Sequence, residues 1–259
     1  MYNTLIYKVE NHTAYIHLNR PDRFNAFNTE MSMELQAALK AVKKDKEVRV
    51  VVLTGEGKAF CSGQDLKDIS GGGKRSLSDS LYKRYNPIIR AMRGLEKPII
   101  CRMNGVAAGA GCSLALASDF IIASEKASMI EVFVNVGLVL DSGSSYFLPR
   151  LVGSNRAFEL STMGSKVTAA QALEWGMVNR VCSPETLDEE VEKVVSYYRT
   201  APTKAIGLMK KMLNKSFHSD LEEMLQYEAY CQEIAGNSDD YQEGVTAFVE
   251  KRKPSFTGN

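Results

Sequence analysis

Asp141 is the first residue whose surroundings suggest chemistry. It is the one carboxylate inside a Gly/Ser loop with apolar flanks, Gly137 to Ser145 (G-L-V-L-D-S-G-S-S). A carboxyl group drawn into such a loop loses the water that favours its charged form. Its pKa then rises toward the range where it can take and return a proton. Standing just before Ser142-Gly143, the same residue has a second reading as the side-chain cap of the helix that follows. Two further small-residue loops accompany it, Gly55 to Leu66 (G-E-G-K-A-F-C-S-G-Q-D-L) and Gly105 to Gly111 (G-V-A-A-G-A-G). Each leads from an apolar strand candidate toward a helix candidate. Residues without a bulky side chain let backbone approach a ligand closely, and a helix starting there turns unpaired N–H groups into the gap. Amides from two such loops can hold a developing oxyanion, at about 3–4 kcal/mol per donor. Close helix–strand packing is the plainer reading of the same glycines.

Other catalytic patterns are missing. The three histidines stand in no Ser-His-Asp set, and His12 and His17, in a turn and on a strand, read as structural. There is no P-loop and no Gly-x-Gly-x-x-Gly unit with a trailing acid. The five cysteines (61, 101, 112, 182 and 231) are scattered with no metal-ligand spacing. We read them as reduced thiols of a cytoplasmic protein with no metal site. A net charge of +1 offers no footprint for nucleic acid or an anionic membrane. No run of about 18 apolar residues exists to span a bilayer. With 44% hydrophobic and 24% charged residues, the composition is that of an ordinary globular protein.

The elements that must position these loops alternate. Residues 4–10 and 13–18 alternate apolar and polar around Asn11-His12, the pattern of a hairpin. After a polar Pro-containing loop (19–27), Asn28 or Thr29 caps a helix with apolar Met31, Leu35, Ala38, Leu39 and Val42. Val48 to Thr54 reads as a buried parallel strand. Gly71-Gly72-Gly73-Lys74 breaks the helix after Leu66, and a single helix is predicted over 79–93. The apolar run Ile99 to Asp119 reads as strand, tight turn and buried helix. Asp119 to Ala123 forms a strand, and Ala127 to Asn135 a further apolar segment. This alternation predicts an α/β fold. From Leu187 the pattern is helical at 187–199, 203–216, 220–235 and 238–251. We therefore expect an α/β core over 1–195 and a helical region over 196–259 whose apolar faces suit subunit contacts.

Several motifs in order make the chain resemble the crotonase (enoyl-CoA hydratase/isomerase) family over essentially its whole length. They are Leu18-Asn19-Arg20-Pro21 with Asn25-Ala26-Phe27, Ala59-Phe60-Cys61-Ser62-Gly63-Gln64-Asp65-Leu66, Lys97-Pro98-Ile99-Ile100, Asn104 to Cys112 (N-G-V-A-A-G-A-G-C), and Glu243 to Arg252. The resemblance implies a spiral of ββα units, a C-terminal region that trimerises, and a homotrimer or dimer of trimers. It implies an acyl-CoA thioester substrate, with coenzyme A as part of the substrate and no separate cofactor. The thioester oxygen would accept from the main-chain amides of Ser62 and Ala110. Substrate contacts would fall on Arg23, Asn25, Ala26, Gln64, Asp65 and Leu66, with Phe248 and Lys251 reaching in from the C-terminal helix, from a neighbouring subunit in one arrangement.

The two glutamates that hydratases of the family use would fall at Ser113 and Phe133. Glu131, if on a strand, would be displaced by about 6.6 Å along it. Asp141 falls where the family's isomerases carry a catalytic Asp. The stretches Leu140 to Arg150 and Ala235 to Val245 are most similar to the epoxyphenylacetyl-CoA isomerase group of phenylacetate breakdown. The expectation is an isomerase with Asp141 carrying the proton, Phe133 drying the site, and Tyr82 and Tyr85 either lining the acyl pocket or packing. A hydratase using Glu131 or Asp141, and a non-catalytic binder of acyl-CoA or RNA, are the competing readings.

Overall fold

The chain opens with the expected hairpin. Strands β1 (Leu5–Glu10) and β2 (Thr13–Leu18) pair antiparallel through a two-residue turn. Asn11 and His12 take φ of 46° and 59° there, the left-handed pair that matches strand twist. The structure, a computed structural model, describes residues 2–69 and 76–259. The helix break expected at Gly71–Lys74 lies outside the described residues.

Helix α1 (Thr29–Lys44) is capped by Asn28, whose side chain accepts from the Met31 amide at 2.8 Å. It buries the predicted stripe of Met31, Leu35, Ala38, Leu39 and Val42. Strand β3 (Val50–Gly55) runs parallel to β2, and β4 (Ala59–Cys61) follows. A short α2 (Leu66–Ile69) and then α3 (Leu77–Ser80) lead through a π-helical turn, Leu81–Tyr85, into α4 (Asn86–Gly94). The single helix predicted over 79–93 is thus interrupted. Pro87 has no N–H to give to the Lys83 carbonyl. The ladder widens to an Asn86-to-Leu81 bond, and the freed carbonyls of Lys83 and Arg84 accept from the Gln36 amide at 3.0 and 3.1 Å.

Three strand pairs then build a spiral. Strands β5 (Ile99–Met103), β6 (Val106–Ala108), β7 (Phe120–Ser124) and β8 (Ser128–Ile130) follow, with helix α5 (Ala110–Leu116) between β6 and β7. Each pair sends its first strand to one sheet and its second to the other. Helices α6 (Ser144–Val152) and α7 (Ser154–Met163), strand β9 (Lys166–Thr168), helix α8 (Ala169–Glu174) and strand β10 (Arg180–Cys182) complete the core. The larger sheet runs β1-β2-β3-β5-β7-β10 and the smaller β4-β6-β8-β9, with only β1/β2 and β8/β9 antiparallel. The main core lies between them, where every residue of α5 is buried.

Helix α9 (Leu187–Thr200) covers the outer face of the larger sheet. Its Leu187, Val191, Val194 and Val195 pack on Val50, Val52, Ile100 and Ile122, which explains why β3 is apolar on both faces. The division expected at 195/196 therefore falls inside a helix that belongs to the core. The later helices are α10 (Thr203–Ser216), α11 (Leu221–Gly236) and α12 (Asp239–Val249). Lys210 ties α10 to the core, donating to the Met92 carbonyl at 2.8 Å and to Asp119 at 2.6 Å. Among the described residues no helix is long and apolar enough to cross a membrane.

Candidate active site

The loop Arg20–Phe27 sets the geometry of the first wall. Phe24 and Asn25 take φ of 49° and 56°, and Asn25 holds that conformation. Its side-chain amide donates to the Glu56 and Ala59 carbonyls at 2.8 Å, and its oxygen accepts from the Arg20 amide at 2.9 Å. The Phe24 carbonyl is thereby placed to receive the Ser62 amide at 3.0 Å. Two residues on, Phe27 bridges the strand Gly63–Asp65, donating to the Gly63 carbonyl at 2.7 Å and accepting from the Asp65 amide at 2.9 Å.

This overturns the expectation that Ser62 supplies a free amide. Successive N–H groups of an extended strand point to opposite sides. With Asp65 turned to Phe27, the intervening amide of Gln64 faces the other way, and it meets no acceptor among the described residues. The Gln64 side chain is anchored as well. It donates to the Phe27 carbonyl at 3.0 Å and accepts from Arg84 at 3.1 Å and from the Tyr85 hydroxyl.

The second wall is the start of α5. Gly109, at φ 51°, precedes Ala110, whose amide stands in the first helical turn without an intrahelical acceptor. The two walls touch. A Cβ on Gly63 would stand 2.7 Å from the Ala108 carbonyl oxygen and 3.5 Å from the Ala110 nitrogen. Only glycine fits there, and φ of 92° adds a second reason. Gln64, Ala110, Leu66, Tyr85, Phe133 and Asp141 share one cleft of about 380 Å³.

Asp141 is the only carboxylate among the described residues lining that cleft. It does not cap α6. The N-cap is Gly143 and no side chain fills that role, so the capping reading fails. The Asp141 carboxyl accepts from the Ser142 hydroxyl at 2.7 Å, while its main-chain carbonyl accepts the Ser144 amide at 3.0 Å. Burial pushes its pKa up, and the Ser142 hydrogen bond opposes the shift.

Behind Asp141 lies a buried chain of hydroxyls. Ser113 Oγ stands 3.1 Å from the Asp141 carbonyl and 2.7 Å from Ser144 Oγ, which donates to Glu131 Oε1 at 2.9 Å. The segment after β8 is not the extended strand on which Glu131 would lie displaced. The strand ends at Ile130 and a 3-10 turn begins at Val132, so Glu131 turns inward and is 3% exposed. Burial foremost, with Asp141's charge adding to it, pushes Glu131 up to about 7, while bonds from Ser144 and Cys112 pull it down. Phe133 packs over Gly109, its ring atoms 3.9 Å from where a Cβ there would stand.

The remaining expected residues are spread more widely. Leu66 lines the cleft; Tyr85 does, and Tyr82 does not, being 64% exposed on the π turn. Asn25 and Ala26 are buried, and their side chains are not brought to the cleft. Asp65 pairs with Arg20 at 2.9 Å, and that bond with the Lys67 amide holds its carboxyl below the usual range against the effect of burial. Arg23 is exposed on the loop outside the cleft. Phe248, 86% exposed on α12, and Lys251 are not among the cleft residues of their own chain.

The two-sheet spiral brings the amides of Gln64 and Ala110 and the Asp141 carboxyl to one cleft. The sequence profile described as enoyl-CoA hydratase/isomerase matches residues 8–259, and the chain belongs to that family. It is 41% identical over 261 residues to the 1,2-epoxyphenylacetyl-CoA isomerase of Escherichia coli K12, covering all of both chains. It is 37% identical over 257 residues to a probable enoyl-CoA hydratase of Rhodobacter capsulatus, covering 99% of each. The crystal structure of a putative enoyl-CoA hydratase/isomerase from Mycobacterium abscessus superposes with a TM-score of 0.93 at 34% identity, covering 98% of this chain and 100% of that one.

Proposed function

We propose that the protein is a cofactor-independent acyl-CoA isomerase that works through a thioester enolate. The observation that carries this reading is Asp141, the single carboxylate among the described residues that line the cleft, together with the amides of Gln64 and Ala110. The thioester oxygen accepts from both amides, which lowers the cost of placing charge on it when a neighbouring C–H is broken. Ionised Asp141 takes that proton, the electron pair moves into the enolate or dienolate, and the same proton returns to a different carbon. One carboxylate is enough for such a shift. Water addition needs a group to hold and activate water as well, and Ser113 and Phe133 supply no carboxylate for that.

The apolar lining by Leu66, Leu77, Leu81, Phe133 and Leu140 suits an aliphatic or aromatic acyl group. The isomerase from Escherichia coli supports the ring-epoxide form of the reaction. Coenzyme A would lie along the main chain of the Arg23–Ala26 and Gln64–Leu66 loops. Phe248, exposed on α12, and Lys251, exposed just beyond it, would reach the cleft of a neighbouring subunit in a trimer or a dimer of trimers.

The test uses a 3-enoyl-CoA and, separately, a 2-enoyl-CoA, followed by absorbance of the conjugated thioester. Conjugation gained from the first, and lost in Asp141→Asn, supports the isomerase. The hydratase reading draws on the Rhodobacter capsulatus relative. Rapid loss of conjugation from the 2-enoyl ester, with no gain from the 3-enoyl ester, would establish it.

A further inference from the structure

The buried group that this reaction scheme leaves unused is Glu131. Its Oε2 has no hydrogen-bond partner, its Oε1 receives the Ser144 hydroxyl, and the Cys112 thiol is the other donor acting on the carboxyl. An ionised carboxylate held in that way keeps one oxygen unsolvated, which favours its neutral form. Ser113 and Ser144 have one hydroxyl proton each, and the three oxygens from Ser113 through Ser144 to Glu131 form a row at 2.7 and 2.9 Å, at whose Ser113 end the Asp141 carbonyl at 3.1 Å is a nearer acceptor than the Gly109 carbonyl at 3.3 Å. Such a row runs in one of two directions.

With Glu131 protonated on Oε1, it donates to Ser144, Ser144 donates to Ser113, and Ser113 donates to the Asp141 carbonyl 3.1 Å away. With Glu131 ionised, Ser144 must turn its proton to Glu131 and Ser113 must turn its own to Ser144. The Asp141 carbonyl then keeps only the Ser144 amide, at 3.0 Å.

We infer that Glu131 is a positioning residue for Asp141, deciding through the Ser144 and Ser113 hydroxyls whether the Asp141 carbonyl receives a second hydrogen bond. The inference rests on the isomerase reading, in which Asp141 carries the proton. The carbonyl matters because Asp141 precedes two left-handed residues, Ser142 at φ 50° and Gly143 at φ 89°. That turn aims the carboxyl at the cleft, and Ser142 pays strain for it that a firmly held carbonyl offsets. The titratable groups acting on Glu131 are Asp141 from the loop before α6 and Cys112 from α5. Lys166 of β9, paired with the neighbouring Ile130, is exposed. Burial places the switch near neutrality, at about 7.

The test combines an infrared titration of the protonated carboxyl band with kcat on a 3-enoyl-CoA from about pH 5 to about pH 9. In the wild type the band fades near neutrality, and kcat steps down about fivefold over the same interval, the worth of one hydrogen bond. Glu131→Gln loses both the band and the step. Ser144→Ala keeps the band but loses the step, because the row is cut between Glu131 and Ser113. A step that survives Ser144→Ala overturns the inference. So does a wild-type band that fades only in the usual carboxylate range, or a uniform loss of kcat in Glu131→Gln with the profile unchanged. The band is read on resting protein. If Asp141→Asn keeps full isomerase turnover, the isomerase reading fails while the Glu131 titration and its bond to Ser144 still stand or fall on their own.

Discussion

The main-chain amide of Ser62 donates to the carbonyl oxygen of Phe24 at 3.0 Å, and this bond helps decide which amide faces the cleft. It removes Ser62 from the candidate donors and leaves Gln64, two positions along the same segment. Gly63 lies between them, against the Ala108 carbonyl.

Gly63→Ala is therefore expected to push the two walls apart. Its Cβ would meet the Ala108 oxygen at 2.7 Å and would have to adopt φ of 92°. Loss of one aligned donor lowers kcat by about 10²-fold, while Ser62→Ala, which keeps its amide bond, stays within about threefold of the wild type. Steady-state kinetics on a 3-enoyl-CoA, with circular dichroism to confirm folding, separates the two.

Asp141→Asn removes the only described lining carboxylate and is expected to lower kcat by about 10³-fold. Burial raises the Asp141 pKa, so the acid limb of the wild-type profile lies above the ordinary carboxylate range, with activity falling as pH falls through it. The sign for stability is opposite. A raised folded pKa means that folding favours the protonated form, so the ionised group destabilises the fold at pH above that value. Asp141→Asn should melt a few degrees higher than the wild type at pH 8, a trade of activity for stability that differential scanning calorimetry would show.

Glu131 makes the same argument larger. Its pKa goes from 4.5 in the unfolded chain to about 7 when folded. Stability from this group is fully present below 4.5 and is lost as pH rises through about 7, by on the order of 3 kcal/mol. Urea unfolding at several pH values should show that slope in the wild type. Glu131→Gln, which has no proton to lose, should flatten it between those limits.

Lys210 tests the attachment of α10 apart from catalysis. Its ammonium is buried and paired with Asp119 at 2.6 Å. Lys210→Met leaves Asp119 with Arg93, at 3.0 Å, and the Ile99 amide, at 2.9 Å, and is expected to cost about 3 kcal/mol. The loss should appear in the urea midpoint, with kcat within about twofold of the wild type because the pair lies outside the cleft.

The legible parts of the molecule were those governed by local rules. The β1–β2 hairpin follows from alternation around Asn11-His12, the Asn28 cap and buried stripe of α1 from helical spacing, and the double burial of β3 from its β-branched run. The Gly105–Gly111 turn and the start of α5 at Ala110 were visible as small residues between two apolar runs. The π turn was not, because what becomes of the Lys83 carbonyl that Pro87 cannot reach depends on Gln36 coming across from α1.

By itself, the sequence determined the α/β alternation and the three loops, because small residues and apolar periodicity act over a few positions along the chain, and its ordered motifs carried the resemblance to the family and its spiral. Tertiary structure alone decided which atoms of those loops face one another. Phe24 takes the Ser62 amide and Phe27 takes the Asp65 amide, which leaves the amide of cleft-lining Gln64 without an acceptor among the described residues, and only those partners across the loop make that choice. The 3-10 turn after Ile130 carries Glu131 beneath Asp141, because its side chain finds the Ser144 hydroxyl there, 13 residues further along the chain. Neither position is written in local spacing, since each depends on which distant segment the fold brings alongside.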